Sequence, residues 1–418
     1  MAARGRVSVD EHRADVAALL APLVEAARRR ERTDVVVLAD ALGRVLAGDL
    51  VAPVPVPLFR NSQMDGYAVR AADVAGASPG APARLAVVAE IPAAPGVPPR
   101  LAPGTAARIM TGAPVPEGAD AVVPVEDTAA GSFAATPAAG EVAVHVPRAP
   151  GDFVRDAGSD VRAGDVLLPD GTVLAPHHLA AAAACGVGGV PVVARPRVAV
   201  LSTGSELVGP GDVPGPGQVF DANADALGAA VRRAGGDVVI TARCGDDPAR
   251  FAAVLAEAAG AADLVLTSGG VSQGAYEVVK DVLGGGASSD VTFRSVAMQP
   301  GGPQGFGTVD GTPVLTFPGN PVSAQVSFAM FLRVPLERAA GLPGVERVRT
   351  AVLAEPLTSP AGKRQLLRGA TGPGGTVRVV GGAGSHLVAS MARADVLVDV
   401  PADVTEWAAG AEVEVREL

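Results

Sequence analysis

The strongest constraint on this chain is a rhythm that begins at Arg197. Residues 198–201 (VAVL) are apolar throughout, and a polar loop and a helical pattern over 223–234 follow them. Residues 238–242 form the next strand pattern. Asp247 and Pro248 then suit the N-cap and first position of a helix running to 259. Two more apolar strands fall at 264–267 and 314–317, and Pro321 opens a helix to 332. A strand with no polar alternation cannot show a face to water. Strands of this kind separated by helices predict a parallel sheet covered on both sides.

The rest of the chain has a different texture. Residues 8–30 predict a helix with Ser8 as cap and Val16, Leu19, Leu20, Leu23 and Val24 on one face. From Val51, short strand-like runs at 84–91, 105–110, 121–125 and 141–146 are broken by Pro and Gly, as in a small all-β unit. Turns and strands alternate over 158–174 before an Ala-rich helix at 176–185. After about residue 345 short strands return, ending at 412–415. The fold expected is multidomain α/β plus β. Segments 1–50 and 147–183 on either side of the β unit could pack together into one N-terminal domain, making that unit (51–146) an insertion. A parallel-sheet α/β domain (184–340) and a C-terminal β-barrel-like domain (341–418) would follow.

Composition narrows the function classes. The 418 residues carry a formal charge of −10 with no basic run, which argues against general nucleic-acid binding. Charges at Arg4, Arg6, Asp10, Glu11, Arg13 and Asp15 leave no apolar core for a secretory signal, and no stretch is apolar enough for a membrane span. The two cysteines, Cys185 and Cys244, form no CxxC pair, so a reducing, cytoplasmic setting is expected. Only Lys280 and Lys363 represent lysine.

In open α/β sheets ligands bind beyond the carboxyl ends of the strands. Four loops lie there in this reading. The first carries Ser202, Thr203, Gly204 and Glu206, and the second Asp246 and Asp247. The third carries Ser268, Gly269, Gly270, Ser272 and Gly274, with Glu277 just beyond, and the fourth Pro318, Gly319, Asn320 and Pro321. Gly-rich turns present backbone N–H groups to anions. The carboxylates would repel such ligands unless a divalent cation intervened, and Mg²⁺ commonly binds one or two carboxylates plus substrate phosphates. Asp247 is accounted for as a helix cap; Glu206 and Asp246 have no comparable local role and are candidate metal ligands.

No Walker lysine motif, GxSxG elbow or HExxH occurs. His177 and His178 open a helix and read as surface or capping residues. Two further segments are dense: 61–69 (NSQMDGYAV), braced by Pro53, Pro55 and Pro57, and 108–116 (RIMTGAPVP). Their residues alone fit ordinary β-turns as well as a site.

Taken in order, NSQMDGYAV, RIMTGAPVPEGADAVV, AGSDVRAGDVLL, LSTGSEL, TSGGVSQG and FPGNPVSA span nearly the whole chain. The chain thereby resembles the molybdopterin molybdenumtransferases, bacterial molybdenum-insertion proteins related to the C-terminal domain of gephyrin. The resemblance implies an elongated N-terminal domain with a β domain inserted in it, a molybdopterin-binding α/β domain and a C-terminal β domain. It also implies a homodimer in which the α/β crevice of one subunit faces the β-rich part of the other. The implied reaction inserts molybdenum from molybdate into adenylylated molybdopterin, with Mg²⁺ or a similar ion, and releases AMP. It also implies exchange with a preceding adenylyltransferase and with recipient molybdoenzymes. Carried over by position, Asp65, Thr111, Glu206, Asp246 and Glu277 match active-site residues, with Pro318 and Pro321 flanking the Gly-Asn turn.

One departure stands out. Where the family often shows KPGKP, this chain reads Gln299-Pro300-Gly301-Gly302-Pro303. Two positive charges are missing, and Arg294 is the arginine proposed to replace them, since arginine pairs well with oxyanions. The same loss motivates an alternative: a non-catalytic paralogue that binds molybdopterin or a partner protein.

Overall fold

The computed structural model describes residues 6–129, 131–132, 140–271, 278–284 and 289–418. Two compact units emerge, one from Val35–Pro191 and one from Met1–Asp34 together with Val192–Leu418.

The second unit is built on a six-stranded sheet. Its order is Asp237–Cys244, Arg197–Thr203, Leu264–Ser268, Thr312–Phe317, Pro303–Val309 and Ser289–Ser295. The first four strands run parallel and the last two antiparallel. Alternate residues of the parallel strands serve two separate cores. Val198, Val200, Leu264, Leu266 and Leu315 pack with Val16, Leu20, Leu227 and Phe331 on one face. Ala199, Leu201, Val265 and Val314 pack with Phe251, Leu255 and Val279 on the other. That double burial is why these strands show no polar alternation. The antiparallel pair is half-exposed and interrupted by Gly305 and Gly307, so no apolar run announced it.

Helix Val9–Arg28 is capped as expected, the Ser8 hydroxyl accepting from Glu11 N at 3.1 Å. Its contacts lie in this unit, against helix Arg333–Ala339, because its buried Val9, Val16 and Leu20 join the sheet's core. By contacts, residues 1–34 group with the α/β body.

The same unit ends in a closed barrel. Strand Arg364–Thr371 lies beside Thr376–Val379, then Val348–Leu353, Glu412–Glu417 and Val396–Val400, which pairs back to Arg364–Thr371. Its interior is Val, Leu and Ala, among them Leu353, Leu367, Val377, Val398 and Val415. A short strand, Met298–Gln299, joins the outside of this ring in parallel, with Met298 opposite Arg364.

The other unit, Val35–Pro191, holds a five-stranded sheet ordered Ala121–Pro124, Gly66–Val69, Thr105–Ile109, Ala83–Ile91 and Gly140–Val144. A bridge from Thr128 to Val144 brings the last strand round to the segment after the first. A ladder of short antiparallel pairings accompanies it, including Leu50–Val51 with Val166–Leu168 and Asn61–Ser62 with Val154–Arg155. Gly66 is required where it stands, since a Cβ there would fall 2.0 Å from the Val123 carbonyl oxygen. Among the described residues no helix is long and apolar enough to cross a membrane.

Candidate functional site

Strand Arg197–Thr203 is followed in sequence by Asp237–Cys244 on one side and Leu264–Ser268 on the other. The connections diverge at that strand, so its carboxyl end opens a crevice. A cleft of about 970 Å³ lies there. Its wall includes Thr203, Gly204, Glu206, Asp246, Gly269, Gly270, Pro318, Gly319, Asn320 and Pro321, so all four loops singled out in the sequence converge. Close approach of two of them needs glycine: Gly269 has φ +97°, and a Cβ on it would lie 2.4 Å from the Thr203 carbonyl oxygen.

Ser202 and Ser268 sit beneath the cleft rather than on its wall. Both are buried, with Ser268 Oγ donating to Ser202 Oγ at 3.4 Å and Ser202 Oγ to Asp221 Oδ1 at 3.2 Å. Ser272, Gly274 and Glu277 lie outside the described residues. Asp247 is the cap expected, its Oδ1 accepting from Ala249 N at 2.9 Å and Arg250 N at 3.3 Å. His178 is a cap too, Nδ1 accepting from Ala175 N.

The structure adds residues that the sequence reading missed. Asp221 lines the cleft although it is only 1 % exposed. Its Oδ1 also accepts from Asn223 N at 2.9 Å and Ala224 N at 3.1 Å, so it caps the helix Asn223–Arg233. Its Oδ2 has no hydrogen-bond partner; the nearest cation, Arg243 Nε, is 3.8 Å away. Asn223 donates to the Gly319 carbonyl at 2.7 Å and keeps an unpartnered Oδ1. The cleft floor therefore presents two buried acceptors awaiting donors. The signal was present as Asp-x-Asn directly before an Ala-rich helix, a capping pattern.

The cleft's positive groups are Arg6 and Lys363, with His386 beside them. Arg294 is not among them. It donates to Asp15 Oδ2 at 2.7 Å and lies over the Phe306 ring at 4.3 Å, so the replacement expected of it does not occur. Cys244 ends its strand buried, and burial pushes its thiol up, with Arg250 opposing.

Among the described residues no three His, Cys, Asp or Glu side chains gather closely enough to cage a metal. Glu206 and Asp246 nevertheless line one cleft, with no ion-pair partner among the described residues. That donor set suits Mg²⁺, which takes one or two carboxylates and completes its shell with substrate oxygens and water.

Asp65 and Thr111 belong to the Val35–Pro191 unit, where they meet each other. Thr111 donates to Asp65 Oδ1 from its backbone N at 2.7 Å and from its hydroxyl at 2.8 Å. These two bonds hold the exposed Asp65 carboxyl below the usual carboxylate range, burial opposing slightly. The second carboxylate oxygen is left for another partner.

A switch-point cleft ringed by glycine turns, with Glu206 and Asp246 on its wall, is the ligand-site arrangement of an open-sheet α/β protein. Comparison with known proteins makes this specific. The chain matches the MoeA N-terminal region (domains I and II) over residues 7–186, the probable molybdopterin-binding domain over 199–338, and the MoeA C-terminal region (domain IV) over 350–418. It is 49 % identical over 417 residues to molybdopterin molybdenumtransferase 2 of Mycobacterium tuberculosis, covering 98 % of this chain and 99 % of that one. It is 35 % identical to molybdopterin molybdenumtransferase of a Nostoc species over 97 % of this chain and 93 % of that one. A solved structure, the molybdopterin biosynthesis MoeA protein of Pyrococcus horikoshii, superposes with a TM-score of 0.76 at 33 % identity, covering 95 % of this chain and 98 % of that one. The chain belongs to the molybdopterin molybdenumtransferase family, transferases of molybdenum cofactor biosynthesis.

Proposed function

We propose that this protein inserts molybdenum from molybdate into adenylylated molybdopterin and releases AMP. The observation that carries the reading is the single cleft in which Glu206, Asp246 and the glycine turns of three strand ends come together. Backbone N–H groups of Gly270 and Gly319 would hold phosphate oxygens, those of Gly204 and Gly269 being donated already to the Cys244 and Phe317 carbonyls. Glu206 and Asp246 would hold a Mg²⁺ ion, which neutralises charge on the phosphoanhydride when bound. In net terms an oxygen of water or molybdate bonds to phosphorus as the P–O–P bond breaks and AMP leaves. Two Mo–S bonds form as the two dithiolene thiols give their protons to a displaced molybdate oxygen, which departs as water. Positioning and electrostatics do the work, with no covalent nucleophile.

Asp65 and Thr111 enter this reading from the second subunit of a cytoplasmic homodimer. Thr111 keeps Asp65 ionised and aims its open oxygen, which would orient a water or a substrate donor. The fourth loop, with Pro318, Gly319, Asn320 and Pro321, closes the wall against the molybdopterin. Ser272, Gly274 and Glu277 extend the third loop in the same reading. The preceding adenylyltransferase and recipient molybdoenzymes would be transient partners.

The test is molybdate-dependent AMP release from adenylylated molybdopterin with Mg²⁺. Wild type should turn over, and Asp65→Ala should release no AMP while remaining folded and dimeric. Full activity in Asp65→Ala would remove that residue from the site. Tight substrate binding without turnover by wild type would favour the non-catalytic paralogue, which Gln299 and Gly302 motivate.

A further inference from the structure

The loop 295–303 lines the cleft and carries no Lys or Arg, and Gln299 Oε1 accepts from Gln365 Nε2 at 3.3 Å. Two backbone pairings flank this loop. On one side Val7 bridges Val296 in parallel, with Val7 N donating to Ser295 O at 3.1 Å and Ala297 N to Val7 O at 2.8 Å. On the other, Met298 pairs with Arg364, whose N donates to Ala297 O at 2.9 Å. Each pairing carries a cation one residue before its paired position: Arg6 before Val7, and Lys363 before Arg364. Both cations line the cleft, and neither has an ion-pair partner among the described residues. Arg364, by contrast, is tied to Asp399 at 2.6 Å.

We propose that Lys363, supported by Arg6, is the oxyanion-holding group of this cleft, placed just before the strand that pairs with the cation-free loop. Its ligand is a tetrahedral oxyanion, and the assignment rests on the reaction proposed above for the source of that anion. An ammonium is a compact charge with three donors, suited to an anion that presents oxygens in several directions. The carboxylates Glu206, Asp221 and Asp246 share the wall, so an anion entering it meets three negative side chains and needs a fixed positive one. This chain uses lysine only twice, and one of the two stands here.

The experiment measures kcat and both KM values for AMP release, and molybdate affinity by calorimetry, in wild type and three variants. Lys363→Gln should raise one KM by about tenfold or more, the loss expected for a charge-assisted hydrogen bond, with kcat changed less. A rise confined to molybdate identifies molybdate as the anion held; a rise confined to adenylylated molybdopterin identifies its phosphate. Lys363→Arg should stay within about threefold of wild type, because charge is kept. Adding Gly302→Lys to Lys363→Gln should recover most of the loss. A Cβ at Gly302 finds nothing nearer than 3.4 Å, so the loop accepts a side chain. A merely structural role for Lys363 would not be rescued from that position. Unchanged KM values and unchanged calorimetric affinity in Lys363→Gln overturn the proposal. If wild type releases no AMP, the reaction assigned above fails, and molybdate affinity in the same variants still decides Lys363.

Discussion

The parallel sheet and the C-terminal barrel meet one cleft with opposite charges. Loops at the sheet's strand ends contribute Glu206, Asp221 and Asp246, whereas the barrel's first loop contributes Lys363. The two regions are also held differently. The sheet is packed on both faces by apolar cores, while the barrel's strands are also tied to one another through arginine–carboxylate pairs. Asp399, 2 % exposed, receives Arg364 Nε and Arg416 Nε at 2.6 Å each, and Arg416 also reaches Glu346 at 2.9 Å. The lesson is that the acidic half of the site is fixed by strand ends and so by the fold, whereas the basic half depends on a pairing between distant segments.

The largest test of that contrast removes the acidic half. Glu206→Gln or Asp246→Asn should lower AMP release by about 100-fold or more if each supports charge on the phosphates, with stability unchanged. Normal turnover in both would detach the carboxylates from the chemistry. Next is the sheet's packing. Phe317, 1 % exposed, should cost about 3–5 kcal/mol on replacement by Ala, read as a fall in the urea midpoint at unchanged slope.

The third test separates the two regions by pH. His12, 1 % exposed between the rings of Phe306 and Phe331, is lowered to about 4 by burial and by Arg294, with Asp15 opposing. A neutral imidazole in the fold and a titrating one in the unfolded chain mean that stability is full above about pH 6.5. It then falls until about pH 4 and changes no further below that, a loss on the order of 3 kcal/mol. Asp399 behaves oppositely in position: although burial raises its pKa, bonds and charge from Arg364 and Arg416 hold it below the usual range. Its contribution persists down to the ordinary carboxylate range and is lost only below it. Urea midpoints between pH 7 and pH 4.5 should therefore decline in wild type and decline less in His12→Leu; identical slopes would exclude His12 as the cause.

The smallest effect is at Thr111. Thr111→Val removes the hydroxyl bond to Asp65 but leaves the backbone bond, so the Asp65 carboxyl should move part of the way back up. The acid limb of the activity profile should shift upward by about one pH unit or less. An unmoved limb would mean that Asp65 does not set it.

How much of this was legible in the sequence follows the same divide. The strands of 198–201, 264–267 and 314–317 could be read because both of their faces are buried, leaving an uninterrupted apolar signal. Glu206 and Asp246 could be read because they stand just beyond strand ends with no local role. Asp221 was hidden by doing two jobs at once, since the oxygen that caps a helix gives no hint of the second oxygen in the cleft. Lys363 was hidden more deeply. Nothing near it in sequence tells that Met298 will pair with Arg364, because that register is set by the barrel's closure and by packing between segments more than sixty residues apart. The half-exposed strands Ser289–Ser295 and Pro303–Val309 failed to register for want of apolar periodicity.

The crowding at Gly66 has a consequence for how sequences of this kind can drift. Asp65 is immobilised by its successor as much as by Thr111. Any side chain at position 66 would collide with the neighbouring strand's backbone, so that strand would have to part from its partner to admit one. Drift at this step is blocked by geometry before chemistry is consulted. The rim at Gly302, where a side chain fits, is open ground by comparison. A lineage can relocate its positive charge there without touching the fold, but it cannot relocate the aspartate.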